Sequence, residues 1–187
     1  MKKLFLFTCM LMVCVVASAQ ITFNAKIGVG YATMSAPDAP SNVSVGGRFV
    51  TKIGFGIEKA FSPNVSIMPS LEFAVKGMEL SYGGQSWTDD FRYVQVPVLF
   101  AYRLNLSDSW NLTIKAGPYA GYAVSATENG DSIIEGLEEF DAGVDCGAEL
   151  EYHRICFGLE YERGFLTLVS DGKIYNSAIY FTVGYKF

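Results

Sequence analysis

The chain has 187 residues, of which 50% are hydrophobic, and a formal net charge of −5 at pH 7. This acidic balance argues against nucleic acid as a partner, because Lys and Arg contacts to phosphate dominate that affinity. No segment beyond the first 20 residues contains the roughly 20 uninterrupted apolar residues that a transmembrane helix needs. Any insertion into a membrane would therefore use strands, whose backbone groups satisfy one another.

The first residues have the pattern of a secretory signal peptide. Two lysines supply a positive start, residues 4–16 form an apolar core, and an Ala-Ser-Ala cleavage pattern ends at Ala19. We therefore expect a cleaved signal peptide over residues 1–19 and one mature domain over residues 20–187. Without the two lysines, the mature domain would contain 12 basic and 19 acidic residues.

The rest of the sequence alternates between apolar and mixed positions in eight segments, which is typical of strands with one apolar face. Five strands are predicted at residues 23–31, 49–58, 65–76, 94–103 and 112–124, a hairpin runs through residues 146–161, and the last strand covers residues 177–187. Long connections at residues 35–47, 77–91, 126–140 and 165–176 alternate with short turns at residues 61–64, 105–109 and 153–154.

The hairpin with its turn at residues 153–154 gives the sharpest prediction of register. If these residues form a two-residue turn, Tyr152 lies opposite Ile155, and apolar residues then face apolar residues along both strands. Cys146 falls on the outward face and Cys156 on the inward face, about 16 Å apart at ~3.3 Å per residue. Two free thiols are predicted, because that separation exceeds disulfide reach.

Eight strands with alternating long and short connections predict an all-β fold, an eight-stranded antiparallel up-and-down transmembrane β-barrel. The charged side chains share the less apolar faces, so we expect them to point into the lumen while the apolar faces contact lipid. Besides the seven network residues given below, the inward charges include Glu58, Lys76, Asp145 and Lys186. A soluble barrel would have the opposite arrangement. Paired charges are favoured over a metal site or an acid pair, since an unpaired buried charge is costly. The predicted lumen ionic network comprises Lys26, Lys52, Glu72, Arg103, Lys115, Glu149 and Glu160.

Four runs in this order resemble a known family. They are IMPSLEFAVKG at residues 67–77, YVQVPVLFAY at 93–102, KAGPYAGY at 115–122 and DCGAELEY at 145–152. Together they resemble the porin-family (PorT-like) outer-membrane β-barrel domain of Bacteroidetes type, a small barrel of the OmpX/OmpA kind. The resemblance implies an eight-stranded barrel in the outer membrane, but little about function, since one architecture hosts many functions.

The final strand ends in Phe187, with Tyr185 two positions before it. A terminal aromatic residue preceded by apolar residues at alternate positions resembles the closing strand of bacterial outer-membrane barrels, which the assembly machinery reads. We expect Phe187 and Tyr185 to form this assembly signal. Both termini should then lie on the periplasmic side.

Three classes of function are open. A non-enzymatic barrel with a filled lumen would present long extracellular loops for surface interaction or envelope integrity. A small-solute pore or a PorT-like secretion component is the alternative, although barrels of about eight strands are filled by side chains. An outer-membrane lipid-modifying enzyme is disfavoured, because the single histidine, His153, lies in a predicted turn without a serine beside it. We expect a monomer without catalytic residues, metal or cofactor, embedded in outer-membrane lipid.

Two long connections contain candidates for contact with an unidentified surface ligand, because binding residues concentrate on loops of rigid scaffolds. Residues 77–91 contain aromatic residues among glycines, and residues 127–141 contain acids without a basic residue. Aromatic residues are enriched in contact patches, and an acidic run can attract cations or a basic partner. Solvated loop tips are the alternative. The candidates are Tyr82, Trp87, Phe91, Glu128, Asp131 and Glu135.

Overall fold

The computed structural model describes residues 21–35, 44–82, 85–128, 131–132, 139–167 and 175–187. The predicted signal peptide, residues 1–19, lies outside this described part of the chain. Within the described part, no helix is long and apolar enough to cross a membrane.

Eight long antiparallel strands form the fold. They are β1 (Ile21–Ser35), β2 (Arg48–Ala60), β3 (Val65–Tyr82), β4 (Gln85–Asn105), β5 (Trp110–Glu128), β6 (Phe140–Tyr152), β7 (Ile155–Gly164) and β8 (Tyr175–Lys186). Two short strands extend the sheet, Ser44–Gly46 beside β3 and Asp131–Ser132 beside β5.

Each long strand pairs with its neighbours in the chain, and β8 pairs with β1, so the sheet closes. The predicted eight-stranded up-and-down barrel is therefore confirmed. Directly paired residues lead once around the barrel, from Ile21 through Lys59, Ile67, Phe100, Ala116, Cys146, Tyr161 and Ile179 to Tyr31.

This circuit returns to β1 ten residues beyond its start, which defines the stagger of the barrel. With ~3.3 Å per residue and ~4.8 Å between strands, that stagger corresponds to a strand tilt of about 41°, within the usual range for closed barrels. Trp110 and Tyr122, both exposed on the outer face of β5, are then separated by about 30 Å along the barrel axis, close to the thickness of a bilayer's hydrocarbon core.

The outer surface is apolar and the interior is charged. Ile27, Val29 and Phe55 are exposed on the outside, whereas Lys52 and Glu160 are buried in the lumen. Such an outer surface suits lipid, because a closed ladder leaves no backbone group that needs water. Aromatic residues mark both ends of the outer wall: Trp110, Tyr152, Tyr185 and Phe187 at one end, and Tyr31, Phe49, Tyr122 and Phe140 at the other.

The three short turns and Phe187 share one end of the barrel, called the turn end, and the opposite end is called the loop end. At the turn end, Tyr152 pairs with Ile155, so the predicted hairpin register is confirmed. His153 has a φ of 55°, as a two-residue turn between twisted strands requires. Cys146 is exposed, Cys156 is buried, and both are free thiols as predicted.

At the loop end, two predicted long connections are wrong in extent. β3 and β4 continue as a paired hairpin to Tyr82 and Gln85, so only residues 83–84 lie between them instead of residues 77–91. Similarly, β5 runs to Glu128 and β6 begins at Phe140. The alternating apolar pattern ends where the outer wall no longer faces lipid, but the hydrogen-bond ladder does not need an apolar face to continue.

Candidate functional site

Glu160 is the centre of an ion-paired network in the lumen. Its Oε1 atom lies 2.8 Å from Lys26 Nζ and 2.8 Å from Lys115 Nζ, and its Oε2 atom lies 2.8 Å from Lys52 Nζ. These lysines come from β1, β5 and β2, while Glu160 itself is on β7. One carboxylate therefore connects four strands across the lumen. Lys115 also reaches Glu149, at 2.9 Å, which extends the network toward the turn end.

Glu72 and Glu162 each share at least one lysine with Glu160. Glu72 lies 2.8 Å from Lys26 and 3.3 Å from Lys52, while Glu162 lies 2.6 Å from Lys52. The Gln95 amide bridges the two acids, because its Nε2 atom donates to Glu162 at 2.8 Å and to Glu72 at 3.3 Å. Every one of these acids thus has more than one donor, which is what a buried carboxylate requires.

At the turn end, Lys186 forms ion pairs with three acids. Its Nζ atom lies 3.1 Å from Glu58, 3.1 Å from Glu149 and 2.5 Å from Glu151. Arg103 lies 2.7 Å from Glu58 and 3.6 Å from Glu151, and it is the most exposed base of the network. This group faces the end of the barrel at which the chain terminates.

At the loop end, Lys76 and Asp141 continue the network. Lys76 Nζ lies 2.9 Å from Glu162 and 3.4 Å from Asp141. The Tyr119 hydroxyl donates to Asp141 at 3.0 Å, and Asn176 Nδ2 donates to it at 3.1 Å. The ammonium of Lys76 also lies 4.3 Å from the centre of the Tyr119 ring, a cation–π contact.

The network therefore contains more residues than the seven that the sequence predicted. All seven predicted residues form ion pairs in the structure. The additional charged members of the network are Glu58, Lys76, Asp141, Glu151, Glu162 and Lys186. Of these, Glu58, Lys76 and Lys186 are predicted from the sequence to point into the lumen, and the structure confirms it. Strand alternation was the signal for most of them, because Glu162 is two positions beyond Glu160 and Glu151 is two beyond Glu149. Regular alternation ends before Asp141, so the sequence predicts a loop there.

A buried apolar layer lies beyond the network at the loop end. It consists of Met34, Met78, Phe91, Tyr93, Ala123 and Ala126. Phe91 is only 3% exposed, so the prediction that Phe91 is a surface contact residue is wrong. The Gly-rich stretch before Phe91 interrupts the alternation and so predicts a loop, but Phe91 lies on the lumen face of β4.

The other contact candidates lie at the ends of the extended strands. Trp87 is half-buried on β4. The backbone of Tyr82 pairs with Gln85 at the tip of the β3–β4 hairpin, and the backbone of Glu128 pairs with Asp131. Glu135 lies outside the described residues. The structure does not bring the aromatic and acidic candidates together into one described site.

One group of side chains in the lumen has the composition of a metal site. Glu149, Glu151 and Cys156 place potential ligand atoms within 4.8 Å of one another. The ammonium of Lys186, however, lies 3.1 Å and 2.5 Å from the two carboxylates, so it already supplies the positive charge that a metal ion would bring. These residues are better described as part of the ion-paired network.

A closed barrel of eight tilted strands, apolar outside and ion-paired inside, defines an integral membrane β-barrel. Residues 17–169 match the family described as outer membrane protein beta-barrel domain, and the chain belongs to this family. The protein is accordingly an outer-membrane barrel. No curated protein matches the chain.

Solved structures of outer-membrane proteins have a similar fold. OprG from Pseudomonas aeruginosa aligns with a TM-score of 0.55 at 11% identity, covering 91% of this chain and 96% of that chain. Neisserial surface protein A gives 0.55 at 12% identity, covering 88% and 97%. Ail from Yersinia pestis, in complex with the heparin analogue sucrose octasulfate, gives 0.51 at 16% identity, covering 90% and 99%. At these identities the likeness concerns the fold alone.

Proposed function

We propose that this protein is a non-enzymatic, monomeric outer-membrane barrel with a filled lumen, whose loop end faces the outside of the cell and whose termini lie in the periplasm. Its role is surface interaction or envelope integrity. The observation that supports this most directly is the position of Glu160, which pairs with lysines from three other strands and so ties the walls of the lumen together.

A filled lumen is further supported by the sequence of layers along the barrel axis. The ion-paired network extends from Arg103 at the turn end to Asp141, and the apolar layer that includes Met34 and Phe91 follows it. A hydrated ion would have to displace several paired side chains and then cross the apolar layer. Both steps are unfavourable, because breaking a buried pair costs roughly 3–5 kcal/mol.

Conductance in planar bilayers tests the filled lumen. The refolded protein should give no discrete channel steps. A Lys52→Ala/Glu160→Ala variant removes two central members of the network, and occasional openings are expected from it. Regular conductance steps from the wild-type barrel would contradict the proposal and favour the small-solute pore.

A role at the cell surface is supported by the length of β3, β4 and β5, which extend past the aromatic residues at the loop end. These extensions and the segments that they carry would be available outside the cell. Two variants test this role, one with residues 80–87 and one with residues 129–138 replaced by a short Gly/Ser turn. Adhesion of cells to surfaces coated with lipid, polysaccharide or serum protein should fall in at least one variant, with insertion unchanged. Normal adhesion and normal envelope integrity in both variants would oppose the proposal.

A role in a secretion system is the second candidate, and it is favoured only by the PorT-like resemblance. A deletion strain separates the two candidates. Loss of secreted proteins from the medium, with adhesion and envelope integrity unchanged, would favour the secretion component. His153 gives little support to a lipid-modifying enzyme, since its ring packs against Tyr152 in the β6–β7 turn, at a distance of 4.5 Å between ring centres.

A further inference from the structure

Asp145 differs from the other acids of the lumen. It lies on the lumen face of β6 and is 0% exposed. Neither of its carboxylate oxygens has a hydrogen-bond partner in the described part of the chain. A carboxylate in this position would be a buried, uncompensated negative charge, which is among the costliest arrangements in a folded protein.

The neighbouring strands increase this cost. In the β6–β7 register, Asp145 lies directly opposite Glu162, and in the β5–β6 register it lies opposite Gly117. Residues opposite one another on one face have Cβ atoms about 4.5–5.5 Å apart, and like charges there are destabilising. Gly117 offers no side chain as a donor. Asp145 is therefore placed against a second acid on one side and against no side chain on the other.

The nearby bases already have partners. The charged groups with the largest electrostatic effect on Asp145 are Lys26, Lys52, Glu160 and Glu162. Lys26 pairs with Glu72 and Glu160, and Lys52 lies within 3.3 Å of three other acids. Neither lysine is left free to neutralise Asp145.

The charges of the whole network lead to the same conclusion. Its six bases are Lys26, Lys52, Lys76, Arg103, Lys115 and Lys186. Its seven paired acids are Glu58, Glu72, Asp141, Glu149, Glu151, Glu160 and Glu162. The acids already outnumber the bases before Asp145 is added.

We propose that Asp145 is a binding site for one proton. Asp145 is then a neutral carboxylic acid that donates a hydrogen bond to Glu162, the arrangement by which two adjacent carboxyl groups avoid double ionisation. A metal ion does not fit between the two carboxylates, because the ammonium groups of Lys52 and Lys76 already lie 2.6 Å and 2.9 Å from Glu162. The barrel takes up the proton as it folds.

Stability of matched variants tests the proposal. Asp145→Asn replaces the acid with a neutral side chain of the same shape, so its urea unfolding midpoint at pH 7 should equal or exceed that of the wild type. Glu160→Gln is the control, a neutral replacement on the adjacent strand that leaves three lysines short of a partner. It should raise the unfolding equilibrium constant by about 100-fold or more, or prevent folding. The proposal is overturned if Asp145→Asn destabilises as strongly as Glu160→Gln or fails to fold.

Infrared difference spectra of wild type and Asp145→Asn test for the proton directly. The wild type should show the carbonyl stretching band of a protonated carboxylic acid at pH 7, and Asp145→Asn should lack it. Absence of that band from the wild-type spectrum would refute the proposal.

Discussion

Glu160 illustrates how a single buried carboxylate connects the walls of the lumen by ion pairs. Its carboxylate is 0% exposed, and its two oxygens face the ammonium groups of Lys26, Lys52 and Lys115. Burial of each ion carries a desolvation cost, which the pairs repay only when the geometry is good. Long charged side chains also need room, and small residues beside them supply it.

Gly54 provides that room next to Lys26 and Glu72. A Cβ atom at Gly54 would lie 3.0 Å from Glu72 Cγ and 3.3 Å from Lys26 Cε, closer than ordinary contact. Gly54→Val should therefore displace the pair and lower the free energy of unfolding by ~1–3 kcal/mol, as overpacking does. Gly46→Val is the matched control, because its Cβ would be 3.5 Å from the nearest atom, Glu79 O. Equal urea midpoints for the two variants would contradict this explanation.

The two cysteines provide a residue-scale test of register. Cys156 pairs in register with Glu151, five residues from Cys146 on β6, and the two thiols occupy opposite faces of the wall. Alkylation of the unfolded mature protein without reductant should add two labels by mass spectrometry. Unlabelled protein with the mass of one disulfide would show that β6 and β7 pair in another register.

At the scale of elements, alternation in the sequence is sufficient to predict a strand and its faces wherever the strand has lipid on one side. It placed both strands of the β6–β7 hairpin in the correct register, because a shift of one residue would exchange the apolar and charged faces. It failed at residues 77–91, where Gly77, Asp89 and Asp90 break the pattern although the backbone pairs of β3 and β4 continue. There the backbone hydrogen bonds between β3 and β4 hold the hairpin without an apolar face, so the sequence contains no periodic pattern that would predict it.

The ion-paired network in the lumen could likewise be predicted only where the sequence alternates. Lumen charges within the alternating segments could be predicted as a set, but their partners could not, because pairing depends on which strands meet across the lumen. The sequence predicts loops at Asp141 and Phe91, because both residues lie past the last regular alternation. Their positions depend on the length of the hairpins, which alternation alone does not determine.

The last strand supports a prediction about assembly. The backbone N–H of Phe187 donates to Phe23 O at 2.8 Å, and so extends the β8–β1 seam by one residue. Phe187→Asp should lower the amount of barrel in the outer membrane severalfold, measured by immunoblot of membrane fractions. A charge near the interface of a membrane barrel costs only about 0–1 kcal/mol, so a large loss would reflect recognition during assembly and not stability.

Phe61→Asp is the matched control for this prediction. Phe61 is an exposed aromatic residue in the β2–β3 turn, at the same end of the barrel. This variant should reach the outer membrane in normal amounts. An equal decrease of both variants in the outer membrane would mean that the turn end tolerates no added charge. Phe187 would then have no special role in assembly.

At the scale of the whole molecule, the outer wall and the lumen of the barrel have opposite polarity. The wall presents apolar side chains to lipid, and the paired charges lie inside the barrel, below an apolar layer. The stagger of ten residues over eight strands fixes a narrow barrel in which opposite walls can reach each other through lysine and glutamate side chains. A wider barrel would leave the same charges in water, where pairs contribute little.

Spin labels at successive positions of β8, residues 179–183, test this claim most directly when the protein is reconstituted in lipid bilayers. The labels are introduced into a Cys146→Ser/Cys156→Ser background, and their collision rates with oxygen and with a water-soluble nickel complex are measured. Labels at Ile179, Phe181 and Val183 should collide with oxygen, whereas labels at Tyr180 and Thr182 should collide with neither reagent. Frequent collisions of the nickel complex with labels at Tyr180 or Thr182 would reveal a water-filled lumen, and equal oxygen collisions at all five positions would contradict the assignment of faces.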